Sequence, residues 1–363
     1  LTQCSFLESM YSLLSYNMRF QGFFIIFTLS SSVLSTEDCP NEKIKNDIIP
    51  LVDIATEDNW ENVPKLFFVE SSGRDHLLHR QACSVESAIR TNQFPVLVLM
   101  LSTHLNPAVN NATRQLTTVY EGRVHFRQVN LKTLLVNTPF DGHWNMIEKG
   151  LRGSKNKYAH LSDVIRLAVI YRLGGTYSDI DVIFMRTIQN YENFFSSDQT
   201  PYFDDNGVAR FGSVANGLFN IATSKSRFIH DAMNLFLDHF DGANWSSGGA
   251  KPISVAMKQL CQNKRSFSIQ EFTLEKCNGL VQFLDPNLFY PFKWEESAFL
   301  HDFYTQQKWE DIFRKTVSVD FFQSSSESTS KILKRKYYGA SFPAIVYLGP
   351  LFCPVAYDSQ KLY

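Results

Sequence analysis

The sequence has no long basic run: 35 Lys and Arg stand against 36 Asp and Glu over 363 residues, a net charge of −1. The electrostatic footprint of a nucleic-acid binder is therefore missing. There is no internal repeat, so the chain is not read as a stack of small units. The six cysteines and nine histidines show no zinc-site spacing. Charged residues are 20% and hydrophobic ones 44%, which excludes a disordered chain. What the sequence does have is phenylalanine, 31 of them. Aromatic side chains suit a core, and equally a groove that stacks on sugar or lipid. The length allows one large domain or two smaller ones.

The chain opens on Leu1 rather than Met, as a fragment or translated leader does. Met18-Arg19, an apolar run from Phe20 to Leu34 and small polar residues before Glu37-Asp38 read as a secretory signal. The uncharged span Phe20 to Thr36 also meets the minimum of roughly 17 residues for a membrane helix. A cleaved signal and an uncleaved type II anchor both remain open, and either places the rest of the chain in the secretory lumen. The sequons Asn111-Ala112-Thr113 and Asn244-Trp245-Ser246 are N-glycosylation acceptors. The cysteines fit an oxidising compartment loosely. Cys261 and Cys277 flank a polar segment and are the expected disulfide; Cys83, in an apolar-spaced helix, reads as a buried thiol; Cys39 and Cys353 have no assigned partner.

Three parts are expected: residues 1–36 as leader and signal or anchor, 37–62 as a polar stem, and 63–363 as the folded domain. Within the last, Lys65 to Glu70, Pro95 to Leu101 and Val124 to Val129 read as strands, the second a continuous apolar run typical of a buried parallel strand. Arg80 to Arg90 and Tyr158 to Leu173 read as helices, the latter with Leu161, Val164, Ile165, Ala168 and Val169 on one broad face. Gly174-Gly175 ends that helix, and Thr176 to Met185 reads as one strand. Helices from Ser226 to Phe240 and Ile253 to Cys261, a strand from Val281 to Leu284 and a loop from Ser324 to Ser330 follow. Strands alternating with helices imply an α/β fold with a mostly parallel sheet.

Chemistry concentrates at Gly174-Gly175-Thr176-Tyr177-Ser178-Asp179-Ile180-Asp181-Val182. Carboxylates two residues apart on a strand share a face. Burying two like charges is costly unless something positive neutralises them. Hard divalent cations such as Mn²⁺ or Mg²⁺ prefer oxygen ligands, and such an ion also binds the diphosphate of a nucleotide-sugar. An Asp-x-Asp triplet alone is common, and here its context raises its weight: a diglycine turn and a long apolar helix precede it, and an apolar strand follows. On the helix, His160, Asp163 and Arg166 recur every three residues and share one face. An Asp163–Arg166 salt bridge explains that spacing as well as a face turned to the donor does, with Arg166 on phosphate and Asp163 on a hydroxyl.

The run from Tyr158 to Arg166, continuing through Gly174-Gly175-Thr176-Tyr177-Ser178-Asp179-Ile180-Asp181, resembles the core motif of glycosyltransferase family 32, in its lactosylceramide 4-alpha-galactosyltransferase and alpha-1,4-N-acetylglucosaminyltransferase group. Phe67-Phe68-Val69-Glu70-Ser71-Ser72, Cys83-Ser84-Val85-Glu86-Ser87-Ala88 and Cys353-Pro354 are similar to flanking pieces of that group. The resemblance implies a GT-A, Rossmann-like fold, a Golgi type II membrane protein, a UDP-sugar donor with Mn²⁺ (or Mg²⁺), and retaining transfer of galactose or an N-acetylhexosamine to a glycolipid or glycoprotein. It implies donor binding by His160, Asp163, Arg166, Tyr177, Asp179 and Asp181, with Asp179 and Asp181 on the metal and no nucleophile assigned.

Two stretches depart from the family. Its W-G-x-N-G-P segment is replaced here by Trp245-Ser246-Ser247-Gly248-Gly249-Ala250-Lys251-Pro252. Where relatives carry His, an aromatic, Trp and Asn, this chain reads Val319-Asp320-Phe321-Phe322-Gln323. Asp320 is thus a further ligand or a charge that weakens the site, and a catalytically impaired sugar-binding relative is the alternative reading. A haloacid-dehalogenase phosphatase needs an apolar strand before its first Asp; here Leu-Gly-Gly-Thr-Tyr-Ser precedes it.

Overall fold

The computed structural model describes residues 48–197, 201–203, 209–211, 214–260, 276–277, 281–322 and 341–357. In chain order these hold β1 (Leu66–Glu70), α1 (His79–Thr91), β2 (Val96–Met100), α2 (Asn111–Val119), β3 (Val124–Gln128), α3 (Lys157–Leu173), β4 (Gly175–Ser178), β5 (Val182–Phe184) and β6 (Phe194–Ser197). Then come β7 (Val214–Ala215), β8 (Leu218–Ile221), α4 (Arg227–His239), α5 (Ala250–Leu260), β9 (Lys276–Cys277), β10 (Val281–Phe283), β11 (Ser318–Asp320) and α6 (Ala344–Phe352). The central sheet runs β8-β4-β1-β2-β3. β1, β2, β3 and β4 are parallel, and β8 closes one edge antiparallel to β4. A smaller sheet runs β7-β6-β10-β9.

Every residue of β1 and β2 is buried, because helices cover both faces. Phe67, Val69, Leu97 and Leu99 pack with Val164, Ala168 and Phe236 of α3 and α4. The alternate residues Leu66, Phe68, Val96 and Val98 pack with Val85, Ala88 and Leu116 of α1 and α2. A third cluster gathers Ile183 and Val319 with Trp309, Phe313, Ile345 and Leu348. The chain steps from β1 outward to β2 and β3, then returns to lay β4 on β1's other side. Such a reversal opens a crevice at the carboxyl ends of β1 and β4, where ligands bind in sheets of this kind.

Three expectations change. The expected strand from Thr176 to Met185 is two strands in different sheets: β4 belongs to the central sheet, whereas β5 pairs with β11. The Asp179-Ile180-Asp181 triplet is the turn between them, closed by Val182 N–H donating to Asp179 O at 3.2 Å. The stem boundary at residue 62 also shifts. Residues 48–62 pack on the domain: Ile49 and Pro50 pair with Leu105 and His104, Asp53 bridges Gln128 at the edge of β3, and Ile54 and Trp60 are buried. The segment's polar composition concealed those two anchors. Third, Cys83 is bonded to Cys353, 270 residues away. Nearby, buried Glu86 accepts from Tyr120 OH (2.7 Å) and from the backbone N–H groups of Val355 (3.1 Å) and Ala356 (2.7 Å). The C-terminal segment is thereby fastened to α1.

The Cys261–Cys277 pairing lies outside the described residues at Cys261, as do the loop 324–330 and the span 20–36. Among the described residues no helix is long and apolar enough to cross a membrane.

Candidate active site

The site begins where α3 ends. Gly174 has φ +64°, and a Cβ there would lie 2.4 Å from Ala222 O; Gly175 has φ +113°. Both values fall where side chains are strained, so the diglycine lets the chain reverse abruptly from α3 into β4. Beneath the turn, buried Lys65 donates to Leu173 O (2.9 Å), the last carbonyl of α3, and to Val63 O (2.7 Å) just ahead of β1. Burial pushes the Lys65 amine down to about 7, against the pull of Glu61.

β4 delivers Asp179 to its carboxyl end. The Asp179 backbone N–H donates to Gly217 O (2.6 Å), and its Oδ1 accepts from Tyr177 OH (2.7 Å) and pairs with Arg166 Nη2 (3.0 Å). Arg166 also meets Asp163 Oδ1 at 3.2 Å and lies over the Tyr177 ring, 4.3 Å from its centroid. Asn216 Nδ2 donates to Asp163 Oδ1 (2.9 Å), and Ser162 shares a hydrogen bond with Tyr177 OH (2.9 Å). Burial opposes the charge of Arg166, but Asp179, Tyr177 and Asp163 more than offset that and raise its pKa. Burial pushes Asp163 up to about 7, partly countered by Arg166.

Of the six expected donor residues, Asp179 and Asp181 are the partly exposed pair at the crevice. The others stand behind them. His160 is fully buried, with Nδ1 on Ser154 Oγ (2.9 Å) and Nε2 on Trp245 O (3.2 Å), so it has no nitrogen left for a ligand. Its burial holds it below the usual histidine range. Its task is to tie α3 to the segment Trp245–Gly249. Arg166 and Tyr177 are 4% and 1% exposed and both hold Asp179 from behind; Arg166 also donates to Asn216 O, and its Nε is buried without a partner. Asp163, 5% exposed, is roofed by that same segment: Cβ atoms on Gly248 and Gly249 would come within 2.5 Å and 2.4 Å of its carboxylate oxygens. The glycines of the departing segment therefore allow a contact that no other residue permits.

Asp320 joins this group from a distant part of the chain. It ends β11, opposite Val182, and Phe321 N–H donates to Asp181 O (3.2 Å). Burial first, then Asp181 and Asp179, push the Asp320 carboxyl well above its ordinary range. Tyr290 is buried beside Asp320 and Asp179, which add to the burial that raises its phenol. Three carboxylates thus converge where the buried cation, Arg166, is already engaged by Asp163 and Asp179. That excess of hard oxygen donors fits Mn²⁺ or Mg²⁺. Among the described residues no three His, Cys, Asp or Glu side chains enclose an ion by themselves.

Asn216, Gly217 and Tyr290 carried no sequence signal, since each reaches the site only through strand pairing or packing. Asn111 and Asn244 are both exposed. Asn111 begins α2, and Asn244 caps a short turn through its Oδ1, which accepts from Ser246 N–H at 3.1 Å.

Residues 79–200 match a family model described as a glycosyltransferase sugar-binding region containing the DXD motif, and residues 221–359 match an alpha 1,4-glycosyltransferase conserved region. A lactosylceramide 4-alpha-galactosyltransferase from Gorilla gorilla gorilla is 26% identical over 309 residues, spanning 82% of this chain and 84% of the relative. The human alpha-1,4-N-acetylglucosaminyltransferase is 28% identical over 236 residues, 64% of each chain. Among solved structures, the PaToxG glycosyltransferase superposes with a TM-score of 0.40 at 14% identity, covering 59% of this chain and 71% of that one; a score this low adds nothing to the topology. The expected α/β architecture with a mostly parallel central sheet is the one found.

Proposed function

We propose that this chain, a glycosyltransferase related to the alpha-1,4-galactosyl- and alpha-1,4-N-acetylglucosaminyltransferases, moves galactose or an N-acetylhexosamine from a UDP-sugar to a glycolipid or glycoprotein acceptor, with retention. One observation carries the reading. Asp179, aimed by Arg166 and Tyr177, stands with Asp181 and Asp320 at the carboxyl end of β4, where the strand order reverses. Asp179 and Asp181 are the residues to hold Mn²⁺ or Mg²⁺, with Asp320 as a further oxygen donor. A divalent cation bound there supplies Lewis-acid stabilisation of the charge on the departing nucleoside diphosphate. Arg166 fixes the direction of Asp179, and Tyr177 removes its remaining rotational freedom. The Gly248–Gly249 roof excludes water from Asp163, so that carboxylate orients Arg166. No side chain is assigned as nucleophile.

For the whole protein we propose a Golgi membrane location, single-pass type II through residues 20–36, with secretion after signal cleavage as the alternative. Protease protection of the full chain in sealed microsomes that survives carbonate extraction supports the anchor, and release by carbonate supports secretion.

A second reading is favoured by Asp320, which stands where the resembling family has His: the chain binds donor but transfers poorly. UDP-galactose and UDP-N-acetylhexosamine hydrolysis with Mn²⁺ separates the two. Slow, EDTA-sensitive hydrolysis supports the transferase. Donor binding without turnover supports the impaired relative, and absence of both rejects the donor-site assignment.

A further inference from the structure

Arg166 approaches the acidic turn from α3, on one face of the central sheet, and all its charge is spent on Asp163 and Asp179. A second arginine approaches from the other face. Arg80 is the second residue of α1, and α1 lies along β5: Phe184 N–H donates to Ser87 Oγ at 2.9 Å. From Ser87 back to Arg80 is seven helical residues, about 10 Å. From Phe184 back to Asp181 is three residues of extended chain, again about 10 Å. The two elements run alongside, so Arg80 stands level with Asp181. The electrostatics agree: Asp181 is the neighbour that supports the charge of Arg80, against burial and Arg74.

Four features make this a place for an anion. Arg80 is half-buried, and among the described residues its guanidinium donates no hydrogen bond. Beside it lies His301, whose Nδ1 is closed off without a partner, and whose pKa is lowered by burial and by Arg80. The approach from β1 is rigid, because buried Glu70 accepts from the backbone N–H groups of Ser72 (3.3 Å), Gly73 (3.1 Å) and Arg74 (3.1 Å). Arg80 also occupies the first turn of a thirteen-residue helix, whose positive end adds to its field.

We infer that Arg80 is a diphosphate-contacting residue of the donor site, its guanidinium donating to a phosphate oxygen of a nucleoside diphosphate held at Asp179 and Asp181. This rests on the donor-site reading above. The cation and the two aspartates balance one another, so a diphosphate brings negative charge that Arg166, already committed, does not meet. Arg80 meets it with a planar fork suited to phosphate.

The test is isothermal titration of the full chain with UDP and with uridine, both in Mn²⁺, for the parent and for R80Q and R80K. Loss of a charged hydrogen bond to phosphate is expected to weaken UDP about tenfold or more in R80Q, with uridine unchanged. R80K, keeping charge but not the fork, falls between. An R80Q protein with the parent's UDP-to-uridine ratio overturns the inference; tighter binding of Mn²⁺ alone in that variant then identifies Arg80 as a counter-ion to Asp181. If R80Q does not fold, R80K decides: a loss of about threefold for UDP alone supports the contact, and no loss overturns it. A parent protein that binds no UDP in Mn²⁺ defeats the donor-site reading itself, whereas a parent that binds and an R80Q that binds equally defeat only the role of Arg80.

Discussion

Asp179 and Asp181 look alike in the sequence but are held differently. Asp179 is gripped by Arg166, Tyr177 and the Gly217 carbonyl, so its removal leaves the buried guanidinium with Asp163 as its one remaining carboxylate partner among the described residues. Asp181 is half-buried and stands outside that grip. Asp181→Ala is therefore the cleaner variant: transfer should fall at least about a hundredfold, as removal of an essential charge does, with a Tm within a degree or two of the parent. Parent-like turnover in Asp181→Ala would remove the metal role. Asp163→Asn tests the enclosed carboxylate. It loses its pairing with Arg166 but keeps its shape, so donor affinity should drop by about tenfold, as expected of a charged hydrogen bond. A lower Tm with unchanged donor affinity would return Asp163 to a purely structural part, the salt bridge that its i,i+3 spacing with Arg166 already suggested.

At the scale of elements, the hinge of the site is the turn between α3 and β4. Gly174→Ala adds a Cβ at 2.4 Å from Ala222 O in a left-handed conformation, which should lower stability by about 1–3 kcal/mol. Thermal unfolding measures that, and a Tm equal to the parent's would show that the turn relaxes. Lys65 under the same turn makes stability depend on pH. Its folded pKa of about 7 lies below the ordinary 10.5, so between those values the unfolded chain binds a proton that the folded one does not. Stability from this group therefore rises with pH across that window, by up to about 1.4 kcal/mol per unit, and its penalty is fully present below pH 7. Lys65→Met should flatten the slope of denaturant midpoint against pH from 7 to 9; an unaltered slope would assign the dependence elsewhere.

For the whole molecule, the Cys83–Cys353 bond and Glu86 join the last described residues to α1. Ile183 and Val319 share a cluster with both cysteines, so the clasp stands behind the strand pair that brings Asp320 to Asp181. A Cys83→Ser, Cys353→Ser protein should lose about 2–5 kcal/mol and unfold at least several degrees lower. Its Mn²⁺ affinity should also weaken. A lower Tm with unaltered metal affinity would confine the bond to stability.

The sequence by itself determined the strands Leu66–Glu70, Val96–Met100 and Val124–Gln128 and the helices His79–Thr91 and Lys157–Leu173, because each carries its own apolar pattern, and it singled out the segment Gly174–Asp181, because its glycines and acids are contiguous. His160, Asp163 and Arg166 were legible as one helix face for the same local reason. Tertiary structure alone decided that His160 faces Ser154 and Trp245 rather than a ligand, that Asp179 and Asp181 lie on a turn between two sheets, and that Cys83 meets Cys353. It alone brought Asn216 and Tyr290 to the same crevice, and it set Asp320, already singled out by the family resemblance, across the strand pair from Val182. Periodicity reports which face of an element is buried, but what lies against that face depends on partners scores or hundreds of residues away, and no local pattern records them.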